Sequence, residues 1–245
     1  MNHTVDLHIH SLSSGHAYST IEENARRAAE IGLKMIAITD HSFAMPGGPQ
    51  WIHFAALTML PRNLYGVEIL RGIEANILDY QGGLDVEKPW IDKLDVVIAS
   101  YHDLVINATN RLQHTEGMLA VMEHPFVDII GHPGNPAFEL DIPAFVKGAR
   151  DHNKLIEINN SSFKGTRKGS YDNCLEIARE AVKQGVGLVL SSDAHVSVKV
   201  GQLNQSQGLI EAAGVPEELI ISRSPQAFKQ YLFSKGKALD LKKSS

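Results

Sequence analysis

The sequence predicts an α/β fold in which parallel strands close, or nearly close, into a barrel. Three observations predict it. Apolar β-rich runs alternate with amphipathic stretches, six or seven such units follow one another, and most of the runs end in histidine, aspartate or glutamate. A length of 245 residues suits one large domain, taken as residues 1–245 with a loose polar tail at 235–245.

The first strand is expected at residues 4–8, where Val5, Leu7 and Ile9 alternate with Asp6, His8 and His10. A helix then starts near Thr20, with Glu22 and Glu23 in its first turn and Gly32 past its end. The second strand, 35–39, runs into Asp40 and His41, and a loop with Pro46, Gly47, Gly48 and Pro49 leads to a helix over 52–65. Strand three covers 68–75, and Asp79 to Gly83 reads as a turn suited to a small hairpin. Strand four, 95–100, is followed by Tyr101-His102 and a helix over 110–122. Strand five, 127–131, ends at His132-Pro133, and the next helix begins at Asp141 or Ile142, with Pro143 tolerated in its first turn. Strand six (155–159), a helix (170–184) and strand seven (187–191) lead to Ser192-Asp193-Ala194-His195. Two further helices are expected at 202–213 and 225–234.

Hydrophobic content of 43% with 21% charged residues is ordinary for a soluble globular chain with a sizeable core. The formal net charge of -5 argues against a broad nucleic-acid-binding surface, while leaving room for a local basic pocket. The lone Cys174 excludes an intramolecular disulfide framework and a thiolate zinc site, and is expected to be a small buried residue on a helix. Neither a signal-peptide pattern nor an apolar run of bilayer length is present, so the expected compartment is the cytoplasm, with no membrane partner. The oligomeric state leaves no mark on the sequence.

Alternation puts His8 and His10 on one side of their strand, together with Asp6, aimed where one ion could take both imidazoles. His16 lies in the loop that follows, His41 after strand two, Glu74 at the end of strand three, His102 after strand four and His132 after strand five. Asp193 and His195 follow strand seven. In a barrel the C-terminal strand ends converge on one mouth, so all of these side chains would meet there. A zinc ion takes about four ligands, so two or three ions are expected, with a carboxylate such as Glu74 bridging a pair. Imidazole and carboxylate donors without thiolates suit zinc, manganese or iron. His3 and His124 fall at the opposite rim, His152 at a helix end and His114 on a helix surface, and none of the four is expected to act in catalysis. His53 is open between a cover over the mouth and a helix-packing role.

The ordered segments Asp6-Leu7-His8-Ile9-His10, Ile38-Thr39-Asp40-His41, Gly72-Ile73-Glu74, Tyr101-His102, Gly131-His132-Pro133 and Ser192-Asp193-Ala194-His195 resemble the motifs of the PHP (polymerase and histidinol phosphatase) family. The segments Pro133-Gly134-Asn135-Pro136 and Glu157 to Phe163 resemble its YcdX-type zinc phosphatases in particular. The similarity covers all but the polar tail. It implies a distorted, seven-stranded, TIM-like (β/α) barrel with a trinuclear zinc site. By that analogy His8, His10, Glu74 and Asp193 would hold one ion, Glu74, His102 and His132 a second, and His16, His41 and His195 a third.

The expected activity is metal-dependent hydrolysis of a small phosphomonoester by a metal-activated water. Asp6 and Asp40 would orient ligand histidines through the other ring nitrogen. Arg167 and Lys168 could contact the substrate phosphate, and Asn160 and Ser161 its sugar or phosphate. An amidohydrolase-type C–N hydrolase is the main alternative, although that class often carries a strand-four lysine and this strand ends Ala99-Ser100-Tyr101-His102. Histidinol phosphatase or nucleic-acid-end phosphoesterase activity lies within the same family. A regulatory subunit with a vestigial site is disfavoured by the intact donor set.

Overall fold

A computed structural model describes residues 3–86 and 88–237. Its strands are β1 (Val5–Ile9), β2 (Met35–Ile38), β3 (Asn63–Leu64), β4 (Val67–Asn76), β5 (Val96–Ser100), β6 (Ile129–Ile130), β7 (Leu155–Asn159) and β8 (Leu188–Ser191). Seven of them form the barrel wall in the order β1-β2-β4-β5-β6-β7-β8, and every neighbouring pair along that path is parallel. Past the strand ends Ile9 bridges Ala194, and the His10 N–H donates to the Ala194 carbonyl at 2.9 Å. The wall is therefore nearly closed, with its seam at the mouth. The expected distorted seven-stranded barrel is the observed fold.

The helices are α1 (Ile21–Glu30), α2 (Trp51–Ala56), α3 (Lys88–Ile91), α4 (Arg111–Met122), α5 (Ile142–Asp151), α6 (Ser170–Gln184), α7 (Asn204–Ala213) and α8 (Pro225–Ser234). Their starts follow from capping chemistry. Thr20 and Glu23 form a reciprocal capping box on α1, Asp141 caps α5 ahead of Pro143, and Ser224 caps α8 ahead of Pro225. None among the described residues is long and apolar enough to cross a membrane. Cys174 is buried on α6, where burial pushes its thiol up to about 12.

Inward positions along the strands change character from bottom to top. Below, Val5, Leu7, Met35, Ala37, Leu70, Val96, Ile98, Ile129, Leu155 and Val189 form an apolar plug, sealed by Phe228, Tyr231 and Leu232 of α8. Period two carries the same rows upward into Glu74 and Asn76 on β4, Ser100 on β5, Glu157 and Asn159 on β7 and Ser191 on β8, all buried. Outward positions such as Ile73, Val97 and Ile158 pack under the helices. The barrel interior is thus oily below and polar at the mouth.

Four expectations change. First, β1 is not uniformly alternating: its register against β2 slips between Asp6 and Ile9. Leu7 joins the inner plug while Ile9 packs outside with Ala25 and Ala28. The extra residue turns His8 inward and leaves Asp6 on the opposite face. Second, the helix expected over 52–65 stops at Ala56, with one 3-10 turn to Met59. Pro61 bars its continuation, and Tyr65 and Gly66, with φ of 55° and 82°, make a two-residue turn that pairs β3 with β4.

Third, strand five shrinks to Ile129–Ile130. Fourth, the tail is not loose from residue 235. Lys235 and Lys237 both reach the buried Asp128 carboxylate at the lower end of the barrel, and residues 238–245 lie outside the described residues. The hairpin expected around 79–83 is present: Ile77 bridges Leu84, and Asp79 Oδ1 accepts from the Gln81 and Gly83 N–H groups.

Candidate metal centre

Glu74 is the hub of the mouth. Its Oε2 lies 2.8 Å from His41 Nδ1, 3.2 Å from His8 Nε2 and 3.6 Å from His10 Nε2. Its Oε1 lies 3.0 Å from His132 Nε2 and 3.2 Å from His102 Nε2. Asp193 Oδ1 stands 3.2 Å from His10 Nε2 and 3.7 Å from His8 Nε2. Further out, His16 Nε2 and His195 Nε2 are 3.1 Å apart. Ligand atoms of His8, His10 and Asp193 lie within 4.8 Å of one another, as do those of His41, Glu74 and His102, and those of His10, His41 and His195.

Several of these atoms are buried without a hydrogen bond: His8 Nε2, His10 Nε2, His41 Nδ1, His102 Nε2 and Glu74 Oε2. Their separations are short, yet none of the five atoms makes a hydrogen bond, and buried polar atoms left so are costly unless a cation sits among them. Oxygen and imidazole donors of this kind fit zinc, manganese or iron.

Buried acceptors on the far side of the rings hold that orientation. Glu157 Oε1 lies 2.7 Å from His8 Nδ1, and an ionised carboxylate can only accept, so Nδ1 bears a proton and Nε2 is the nitrogen turned to the centre. Ser14 gives its hydroxyl proton to Asp40 Oδ1 at 2.7 Å and must therefore accept from His10 Nδ1 at 3.0 Å. Asn76 Oδ1 lies 2.7 Å from His102 Nδ1. The backbone is strained here as well: His132 and Asp193 have φ of 30° and 54°. The His16 loop leans on glycine, since a Cβ on Gly15 (φ 79°) would stand 2.3 Å from the Gly47 carbonyl oxygen.

Burial alone would raise the Glu74 carboxyl, but His8, His102 and His41 around it outweigh burial and hold it well below the usual range. Asp193 behaves likewise, with burial outweighed by His8 and Arg167. Burial, then the neighbouring His41 and His195, push His10 well down, and burial with Arg167 lowers His132 to about 4. Burial would lower His8 too, but Glu74, Glu157 and Asp193 around it outweigh burial and raise it well above the usual range. Ionised carboxylates beside neutral His10 and His132 suit cation binding, and at His8 an ion would have to displace a proton.

A family model described as "PHP domain" matches residues 6–179. The chain belongs to the PHP domain family. It is 48% identical over 232 residues to a "Probable phosphatase" of Acetivibrio thermocellus, covering 95% of this chain and 96% of the relative. A second relative, a probable phosphatase of Clostridium novyi, is 44% identical over 241 residues, 98% of this chain and 99% of its own. Among solved structures, histidinol phosphate phosphatase from Lactococcus lactis, complexed with zinc, L-histidinol and phosphate, aligns with a TM-score of 0.60. That match is 15% identical and covers 88% of this chain and 95% of the other, so what is shared with it is the fold.

In this PHP domain the remaining candidates separate. Arg167 lines the cleft and pairs with Asp193. Lys168 is exposed and does not line the cleft. Asn160 Oδ1 accepts from the Gln205 and Ser206 N–H groups at 2.9 and 3.1 Å, so it caps α7 instead of facing the cleft. Ser161 donates to the Ser192 carbonyl and ties two loops together. Asp6, on the outer face of β1, accepts from the backbone N–H groups of Ser192, Gly201 and His8 and has no described bond to a histidine ring. It anchors the loop carrying Asp193. Asp40 acts on His10 through Ser14 and takes His53 Nε2 at 3.0 Å, so His53 is neither a cover nor a packing residue alone.

His114 is not on a surface. It is 2% exposed, ringed by Tyr80, Tyr101 and Phe138, with Nδ1 facing the Glu139 carbonyl. His124 bonds the Gly82 carbonyl and His152 terminates α5, both remote from the mouth.

Sequence reasoning did not single out Glu157, which binds His8 and the His132 N–H, or Asn76, which binds His102. Glu157 had a readable signal. It is a charge inside Leu155-Ile156-Glu157-Ile158, a run buried on both faces, where a carboxylate must be paired.

Proposed function

We propose that this PHP domain is a phosphatase that hydrolyses small phosphomonoesters with divalent ions, zinc foremost, held at its strand ends. His8, His10, Glu74 and Asp193 would hold one ion, Glu74, His102 and His132 a second, and His16, His41 and His195 a third. The observation that supports this most is the set of buried, unbonded donor atoms turned towards Glu74. When bound, such ions supply a water deprotonated near neutral pH and offset charge on the phosphate and leaving oxygen.

The chain's own groups do the rest. Arg167, paired with Asp193 at the cleft wall, is placed to turn a free N–H edge of its guanidinium onto phosphate oxygens. Glu157, Ser14 and Asn76 hold a proton on the outer nitrogen of three imidazoles, so the inner nitrogen is the one offered to an ion. Tyr101, Asp103, Leu104 and Asn135 also line the cleft. The cleft of about 360 Å³ suits a small ester rather than a duplex. The Lactococcus neighbour, solved with zinc, L-histidinol and phosphate, is consistent with a substrate of that size.

Phosphate release from p-nitrophenyl phosphate and a panel of sugar, nucleotide and amino-alcohol monoesters tests the reading. Activity should vanish on chelation and return with zinc or manganese. A fully metal-loaded chain that hydrolyses no phosphoester contradicts it.

A further inference from the structure

Asn76 is an amide, and either of its ends could in principle face His102. Its surroundings remove the choice. Asn76 Nδ2 donates to Asp85 Oδ2 at 2.7 Å and to Ser42 Oγ at 3.0 Å, so both amide hydrogens are engaged on the side away from the centre. Ser42 in turn donates its hydroxyl proton to Asp85 Oδ1, and the Asn76 and Ala44 N–H groups donate to the same carboxylate at 2.8 and 2.7 Å. Asp85 can only accept. The amide oxygen must therefore point at His102 Nδ1, 2.7 Å away, and accept its proton, which leaves His102 Nε2 bare towards Glu74 Oε1 at 3.2 Å.

We infer that Asp85, on the hairpin loop after β4 and outside every recognised motif, is a positioning residue that sets the tautomer of His102 through Asn76. The inference rests on the metal-centre reading above. Without the carboxylate the amide can flip, its NH2 then faces His102, and Nδ1 becomes the acceptor while Nε2 takes the proton that blocks an ion. The same carboxylate binds Ser42 and Ala44, so it also couples the loop after β2, whose Met45 lines the cleft, to the end of β4. Three of the centre's histidines thus end on a buried or half-buried carboxylate: His8 directly on Glu157, His10 on Asp40 through a hydroxyl, and His102 on Asp85 through an amide.

The test compares zinc binding, read by competition with a chromogenic chelator, in the wild-type chain, Asp85→Asn, Asn76→Asp and the double variant. Asp85→Asn is isosteric and should keep the fold while weakening one zinc equivalent by about ten-fold or more. The exchange Asp85→Asn/Asn76→Asp restores the bond between the two positions, because the carboxylate introduced at position 76 accepts from both His102 and the new amide at position 85, while the Ala44 N–H loses its acceptor. It should recover part of the lost affinity and exceed Asn76→Asp alone. Wild-type affinity in Asp85→Asn, a double variant no better than Asn76→Asp, or an Asp85→Asn chain that fails to fold would each assign Asp85 to the loop and overturn the inference. A wild-type chain that takes up no zinc would instead overturn the metal reading itself.

Discussion

His8 Nδ1 and Glu157 Oε1 lie 2.7 Å apart, both fully buried, on strands separated by most of the barrel sequence. Glu157 Oε2 also accepts the His132 N–H at 2.7 Å, so one carboxylate fixes a ring and a strained backbone turn together. Glu157→Gln keeps the shape but replaces an acceptor by a donor. It should weaken zinc binding about ten- to a hundred-fold with little change in fold, as measured by chelator competition beside circular dichroism. Unchanged affinity would remove Glu157 from the centre.

Arg167 is the guanidinium of the cleft lining. Arg167→Ala should raise KM for phosphomonoesters and lower kcat, costing about a hundred-fold or more in kcat/KM, and should weaken inhibition by inorganic phosphate. Steady-state kinetics at saturating zinc are the check. Equal kinetics in wild type and variant would place substrate phosphate elsewhere.

Lys168 and Asn160 should behave differently from Arg167. Lys168→Ala should leave both kinetic constants unaltered. Asn160→Ala removes the acceptor for two N–H groups at the start of α7 and should lower stability by about 1 kcal/mol without moving KM. A rise in KM for either variant would return that residue to the substrate site.

Lys154 supplies a pH dependence remote from the mouth. Its Nζ donates to the His124 and Val127 carbonyls, and burial, then the nearby Lys235, lower it to about 7. The unfolded value is about 10.4. Below pH 7 both states are protonated and the cost of burying the charge is present in full. Between pH 7 and about 10.4 the folded state has already lost its proton, so this group's contribution to stability improves as pH rises. Urea unfolding of wild type and Lys154→Met over that range should show the wild type gaining on the variant; parallel curves would refute the shift.

Much of this was legible because strands and donors obey local rules. Val96 to Ser100 is an apolar run with period two, and His102 follows it by chain geometry alone. The rest depended on neighbours. The slip that moves Asp6 off the His8 face exists only in the pairing of β1 with β2. His114 sits on a helix whose apolar and polar residues are barely separated into faces, and its burial comes from Tyr80, Tyr101 and Phe138 meeting it in space. Asn160 looks like a loop polar residue beside the mouth until α7 is brought against it. Lys235 and Lys237 read as a solvated tail because Asp128, their partner, lies more than a hundred residues away.

Crystals of the zinc-loaded chain measured at the zinc absorption edge test the central claim most directly. The account predicts three anomalous maxima, all within coordination distance of the strand-end donors, with one of them shared by Glu74 and His102. Absence of any maximum at Glu74, or a single ion bound on the outer surface of the barrel, would contradict it.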